Sequence, residues 1–136
     1  SVASFYPLWA GVATEAEAAS TVAKLPRLEY DFGLATCETG ARTSAFQWDY
    51  PNGWAPLHFI AVHGLLRYGY RAEAERIARK YIHAIDRTFA ETGTLWEKYN
   101  VTDGTLNVTD EYQMPPMLGW TAGVYVDFTT LLAPNG

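Results

Sequence analysis

Two stretches of this chain, residues 56–68 and 119–132, are apolar on nearly every face of a helix. The first opens with Pro56, in a first turn where a missing N–H costs nothing, and carries Leu57, Phe59, Ile60, Ala61, Val62, Leu65 and Leu66 before Gly69 ends it. The second carries Val124, Val126, Phe128, Leu131 and Leu132, and Pro134-Asn135-Gly136 closes the chain. A helix with no polar face must be surrounded, because only burial on most sides removes that surface from water. This demand restricts the fold more than any other feature.

The remaining helical patterns are one-sided. Thr14 is a capping residue followed by acids, and Ala19, Val22 and Ala23 repeat at helical spacing, which predicts a helix over about 13–25 stopped by Pro26. Residues 71–90 carry one apolar stripe, Ala74, Ile77, Ala78, Tyr81, Ile82, Ile85 and Phe89. Glu73, Glu75, Arg76, Arg79, Lys80 and Arg87 cover the other side as a solvated face, with Glu75 and Arg79 spaced to pair and Gly93 placed to cap. Two long loops, 27–50 and 92–118, interrupt the helices, the first with room for short extended pieces. Amphipathic and buried helices therefore alternate. If successive pairs are antiparallel, both loops lie at the N-termini of the inner helices, as in a helical toroid with an inner and an outer ring. Four helices cannot close such a ring. The expectation is an all-α chain that forms the C-terminal portion, residues 1–136, of a single larger catalytic domain.

Composition removes several classes of function. The net charge is -5 and the ten basic residues are dispersed, which argues against a nucleic-acid surface. No apolar run reaches the ~18–20 residues of a membrane span, so the chain reads as soluble, its compartment open. The lone Cys37 excludes an internal disulfide and a cysteine-based zinc site. His58 and His63 stand five apart, a poor match to a helical metal pair, and His83 lies on another helix, so all three read as packing or surface residues. Asp103-Gly104 lacks the other ligands of a calcium loop, and no glycine-rich phosphate loop is present. No metal or cofactor is expected. Asn100-Val101-Thr102 and Asn107-Val108-Thr109 match the glycosylation pattern, a weak signal.

The chemistry concentrates in Gln47-Trp48-Asp49-Tyr50-Pro51-Asn52-Gly53-Trp54-Ala55-Pro56. Indoles beside amides and a carboxylate suit a site that stacks on a polar ring and bonds its edges, although a rigid packing loop would use the same tryptophans. The loops also hold Asp49, Glu97 and Glu111 among aromatics. A glycosidase needs a carboxylic acid at the leaving oxygen and a second carboxylate that attacks or activates water. Glu97, between Trp96 and Lys98-Tyr99, is the candidate base, and a surface glutamate beside a lysine is the plain alternative. Asp49 serves equally to cap the Pro-Asn-Gly turn.

At these residues the sequence resembles the trehalases of glycoside hydrolase family 37. The ten-residue motif from Gln47 to Pro56 resembles a family signature. Trp96-Glu97-Lys98-Tyr99 resembles its Glu-Lys-Tyr segment, and Glu111-Tyr112 with Gly119-Trp120-Thr121-Ala122-Gly123-Val124 resembles its Glu-Tyr and Gly-Trp-Thr-Asn-Gly-Val segments. The likeness is strong over about 44–127 and looser over the first 43 residues. It implies an (α/α)6 toroid that hydrolyses α,α-trehalose to two glucose molecules with inversion. By position, Glu97 matches the general base and Glu111 a sugar-contacting carboxylate, while Gln47, Trp48, Asn52, Trp54 and Trp120 fall in segments that line or brace the pocket. The implied partners are a small carbohydrate and the remaining N-terminal part of the same enzyme.

Three departures stand out. Thr102 to Asp110 replaces the family's glycine-rich stretch before its Glu-Tyr, and Ala122 stands where the family often has Asn. No segment resembles the upstream motif that supplies the family's catalytic Asp, nor its sugar-gripping arginines, so this chain alone is expected to be inactive. A toroidal glucosidase of other specificity, or a non-catalytic carbohydrate-binding helical module, remains an open alternative.

Overall fold

The computed structural model describes residues 1–40, 46–116 and 119–134. The expected chain close at Asn135-Gly136, and the last two residues of the second long loop, lie outside them. The order of elements is a 3-10 turn Val2–Phe5, α1 Tyr6–Ala10, α2 Glu15–Val22, a 3-10 turn Leu25–Arg27, the short strands β1 Glu29–Tyr30 and β2 Gly33–Leu34, then β3 Asn52–Trp54, α3 Ala55–Arg67, α4 Arg71–Thr92, β4 Lys98–Asn100 and α5 Trp120–Leu132.

Helix α3 is the centre of the packing and touches α1, α4 and α5, while α4 also packs on α5. Ala55, Leu57, Ile60, Ala61, Val62 and Leu65 of α3 are buried, as its near-uniform apolarity requires. The α1 turn at its side was not expected, because five residues with a proline are too short for a period to register. Val2, Phe5 and Leu8 bury there, and α1 reaches α3 closely at Gly64, where an added Cβ would stand 3.0 Å from the Trp9 nitrogen and 3.1 Å from the Leu8 Cβ.

Capping and termination follow local chemistry. Thr14 caps α2: its Oγ1 accepts from the Glu17 N–H at 3.3 Å and its own N–H donates to Glu17 Oε2 at 2.8 Å. The predicted 13–25 helix is shorter in the structure and stops at Val22, with Pro26 inside the following 3-10 turn. Gly93 caps α4 in the left-handed conformation.

The stripe on α4 is seen with one exception: Phe89 is half-exposed, and Ala84 and Thr88 take the buried positions instead. Its charged face is also not simply solvated. Arg76 donates to Glu29 through Nε and Nη2 at 2.8 and 2.9 Å, and Lys80 Nζ donates to the Tyr30 carbonyl at 2.8 Å and pairs with Glu29 at 2.8 Å. Arg87 donates to the Asp103 carbonyl at 2.9 Å. These cations tie down the β1–β2 hairpin and the second long loop. Burial alone would raise the Glu29 carboxyl, but the bonds from Arg76 and Lys80 outweigh it and hold it below its ordinary value. The Glu75–Arg79 pair is present but long, at 3.9 Å.

Helix α5 buries only Thr121, Val124 and Phe128, whereas Val126 and Trp120 lie open. An almost wholly apolar helix is thus covered on one side within this chain. No helix among the described residues is long and apolar enough to cross a membrane.

Candidate active site

The two motif loops are joined by a ladder that the sequence did not announce. Strand β3 pairs antiparallel with β4, setting Asn52 opposite Asn100, Gly53 opposite Tyr99 and Trp54 opposite Lys98. Gly53 is required by close approach: a Cβ there would run into the Val101 side chain and stand 2.9 Å from both the His58 ring and the Leu34 carbonyl. The turn before β3 contains a cis Tyr50–Pro51 bond, and Asp49 closes it. Its carboxylate accepts from the Tyr50 N–H at 2.9 Å and its carbonyl from the Asn52 N–H at 3.0 Å. Of the two readings of Asp49, the geometry is that of the turn.

Asn52 and Trp54 sit inside rather than on the rim. Asn52 is fully buried; its amide donates to the Gln47 and Thr109 carbonyls at 3.0 and 2.7 Å and its oxygen accepts from the Thr109 N–H at 3.1 Å. With both N–H donors committed, it clamps the two loops together and has none to offer a sugar. Trp54 is 1% exposed, donates through Nε1 to the Gln47 carbonyl at 2.9 Å, and lies under Trp48 in a stack of 3.8 Å and 7°. Trp120 meets it edge-on at 5.9 Å. Asn52 and Trp54 therefore hold the two loops together from the inside. Trp48 and Trp120 keep exposed ring surface.

Glu97 immediately precedes β4 and is 6% exposed, which removes its reading as a surface residue. Its Oε2 accepts from Lys98 Nζ at 3.1 Å and from the Tyr112 hydroxyl at 2.5 Å. Lys98 has no exposed surface, so its charge needs partners. It finds Glu97, Asp110 at 2.5 Å, and the faces of Trp54 and Tyr112, each 5.0 Å away. The bond to Glu97 pushes the Tyr112 phenol up to about 12, so this hydroxyl stays a donor. Lys98, Asp110 and Tyr112 were not among the expected site residues. A lysine or aspartate in a polar loop carries no mark of burial, and only the Glu-Tyr segment pointed at Tyr112.

Glu111 is exposed and reaches back to the first motif, accepting from the Gln47 N–H at 3.2 Å. Gln47 holds its backbone carbonyl to Asn52 and Trp54, but its side-chain Oε1 is buried with no hydrogen-bond partner among the described residues. Such an acceptor costs free energy until a donor arrives. Among the described residues, no three His, Cys, Asp or Glu side chains gather as a metal-holding group.

The family model described as Trehalase matches residues 1–133. The chain belongs to the trehalase family. A periplasmic trehalase of Xanthomonas oryzae is 39% identical over 136 residues, covering 98% of this chain and 23% of that protein. A probable trehalase of Saccharomyces cerevisiae is 43% identical over 113 residues, covering 77% of this chain and 14% of its own length. Among solved structures, neutral trehalase of Saccharomyces cerevisiae superposes with a TM-score of 0.80 at 36% identity, covering 95% of this chain and 23% of that one. An uncharacterised protein of Thermus thermophilus shares the fold at a TM-score of 0.72 and 19% identity, covering 93% of this chain and 30% of that one. The fold is accordingly a portion of an all-α toroid, and the chain spans less than a quarter of these trehalases.

Proposed function

We propose that this chain forms the C-terminal, base-bearing part of an inverting α,α-trehalase, with Glu97 as the general base. In that reaction Glu97 takes a proton from water while the water oxygen bonds to the anomeric carbon. The glycosidic bond breaks toward the leaving sugar's oxygen, which receives a proton from an acid elsewhere in the enzyme. The observation that carries the reading is a buried carboxylate held by two donors, next to the first residue of the strand that pairs with the motif strand. The names of the relatives supply the substrate.

The other expected residues take roles by position. Gln47 and Glu111 are polar residues of the rim, and Trp48 and Trp120 offer ring faces for stacking. Asn52 and Trp54 brace the loops that present them. Relatives are named both cytosolic and periplasmic, so they set no compartment.

The test is Glu97→Gln in the enzyme that carries these residues. The amide keeps the shape of the side chain but cannot take the proton, so trehalose turnover falls by on the order of 10²–10⁴-fold while a competitive sugar inhibitor still binds. Near-normal turnover would exclude Glu97 as the base.

A further inference from the structure

We propose that Tyr112 is a positioning residue for the reaction: it aims the Glu97 carboxylate by donating its hydroxyl to Oε2, leaving Oε1 as the oxygen that takes the proton from water. The inference rests on the assignment of Glu97 as base.

The geometry is asymmetric. Oε2 accepts two donors, Tyr112 at 2.5 Å and Lys98 at 3.1 Å, whereas no group among the described residues bonds Oε1. A carboxylate with one oxygen doubly held loses its freedom to rotate about its last side-chain bond. It presents a single lone-pair direction to the water, and proximity and orientation are a large part of what a positioned base contributes. Lys98 cannot do this alone, because it is shared with Asp110 at 2.5 Å and so is drawn to two carboxylates at once. The Tyr112 hydroxyl has a single carboxylate partner. Its ring lies 5.0 Å from Lys98 Nζ, so the same side chain holds both the carboxylate and the cation next to it.

Tyr112 belongs to the second long loop, in the sequence where Thr102 to Asp110 stands before Glu111. That loop is moored at several points: Asn52 to Thr109, Asn100 Nδ2 to the Asn107 carbonyl at 2.8 Å, and Arg87 to Asp103. The hydroxyl is thus delivered to Glu97 by ordered backbone, while the ring is 44% exposed, so removing the hydroxyl leaves no buried gap.

The experiment is Tyr112→Phe, alone and combined with Glu97→Gln, in the enzyme that carries these residues, with kcat and KM for trehalose measured separately. Loss of a hydrogen bond to a charged group predicts a fall in kcat of about ten- to a hundredfold, with KM and the thermal midpoint little changed. In the Glu97→Gln background the second substitution changes kcat by less than about twofold, because no base is left to aim. A rise in KM at unchanged kcat, which marks a sugar contact, would overturn the inference, as would full additivity of the two substitutions. Loss of turnover in Glu97→Gln with normal kcat in Tyr112→Phe overturns this inference alone. Near-normal turnover in Glu97→Gln overturns the base assignment and, with it, this role for Tyr112.

Discussion

The imidazole of His58 is fully enclosed, with both nitrogens committed. Nε2 accepts from the Leu34 N–H at 2.8 Å, which leaves Nδ1 to carry the proton and donate to the Trp54 carbonyl at 2.8 Å. The ring stacks on Tyr81 at 4.3 Å. Protonating it would turn Nε2 into a donor facing a donor, and burial opposes the charge, so its pKa is lowered to about 4. The unfolded chain protonates near 6.5, so the unfolded state binds the extra proton first as pH falls. The contribution of His58 is whole above pH 6.5 and is lost progressively down to about pH 4, a change of about 3 kcal/mol. Denaturant titrations from pH 7.5 to 4 should show this loss, and His58→Asn should be less stable at pH 7.5 but lack that component of the pH slope. An identical slope in the variant would remove His58 as its source. The expectation that the histidines serve packing holds for His58, though here packing means joining β2 to the start of α3.

At the scale of elements, the β3–β4 ladder links the motif to Glu97, and Gly53 sits at its tightest point. Gly53→Ala would press a methyl group into Val101, His58 and the Leu34 carbonyl, of which the carbonyl is backbone and cannot swing away. The expected cost is about 1–3 kcal/mol of stability, read as a lower denaturation midpoint, with activity falling further because Glu97 adjoins β4 and shifts with it. An unchanged midpoint would show that the ladder can open there without penalty. This element was the least legible in the sequence. Asn-Gly-Trp and Lys-Tyr-Asn are three residues each, too short for alternation to appear, and each pairs only because tertiary packing brings it beside the other. The helices α3, α4 and α5 were legible because 3.6-residue periodicity accumulates over thirteen or more residues. Phe89 and the cations of α4 departed from pattern for one reason. Periodicity reports which face is apolar, but not which loop will fold over the polar one. Gln47, Trp48, Glu97 and Glu111 were visible through residue type and motif, whereas the burial of Asn52, Trp54 and Lys98 depended on contacts from loops distant in sequence.

For the whole molecule, the question is what this chain can do by itself. Inversion needs two carboxyl groups roughly 6.5–9.5 Å apart, with the sugar and a water between them. Glu97 supplies one. Of the other candidates around it, Asp110 is tied to Lys98, Glu111 accepts from the Gln47 backbone, and Asp49 closes its turn. None of them stands free as a proton donor across from Glu97. Helix α5 also leaves Val126 open, surface that a neighbouring helix of a toroid would cover. The 136-residue chain, purified alone and shown by circular dichroism to be helical, should therefore release no glucose from trehalose above the level of its Glu97→Gln variant. Mixing it with a polypeptide that carries an aspartic acid and sugar-binding arginines on complementary inner helices should restore turnover, and should do so only with Glu97 intact. Trehalose hydrolysis by the isolated chain, lost in Glu97→Gln, would instead mean that one of Asp49, Asp110 or Glu111 leaves its present partner to act as the acid. The three corresponding amide variants would then identify which one.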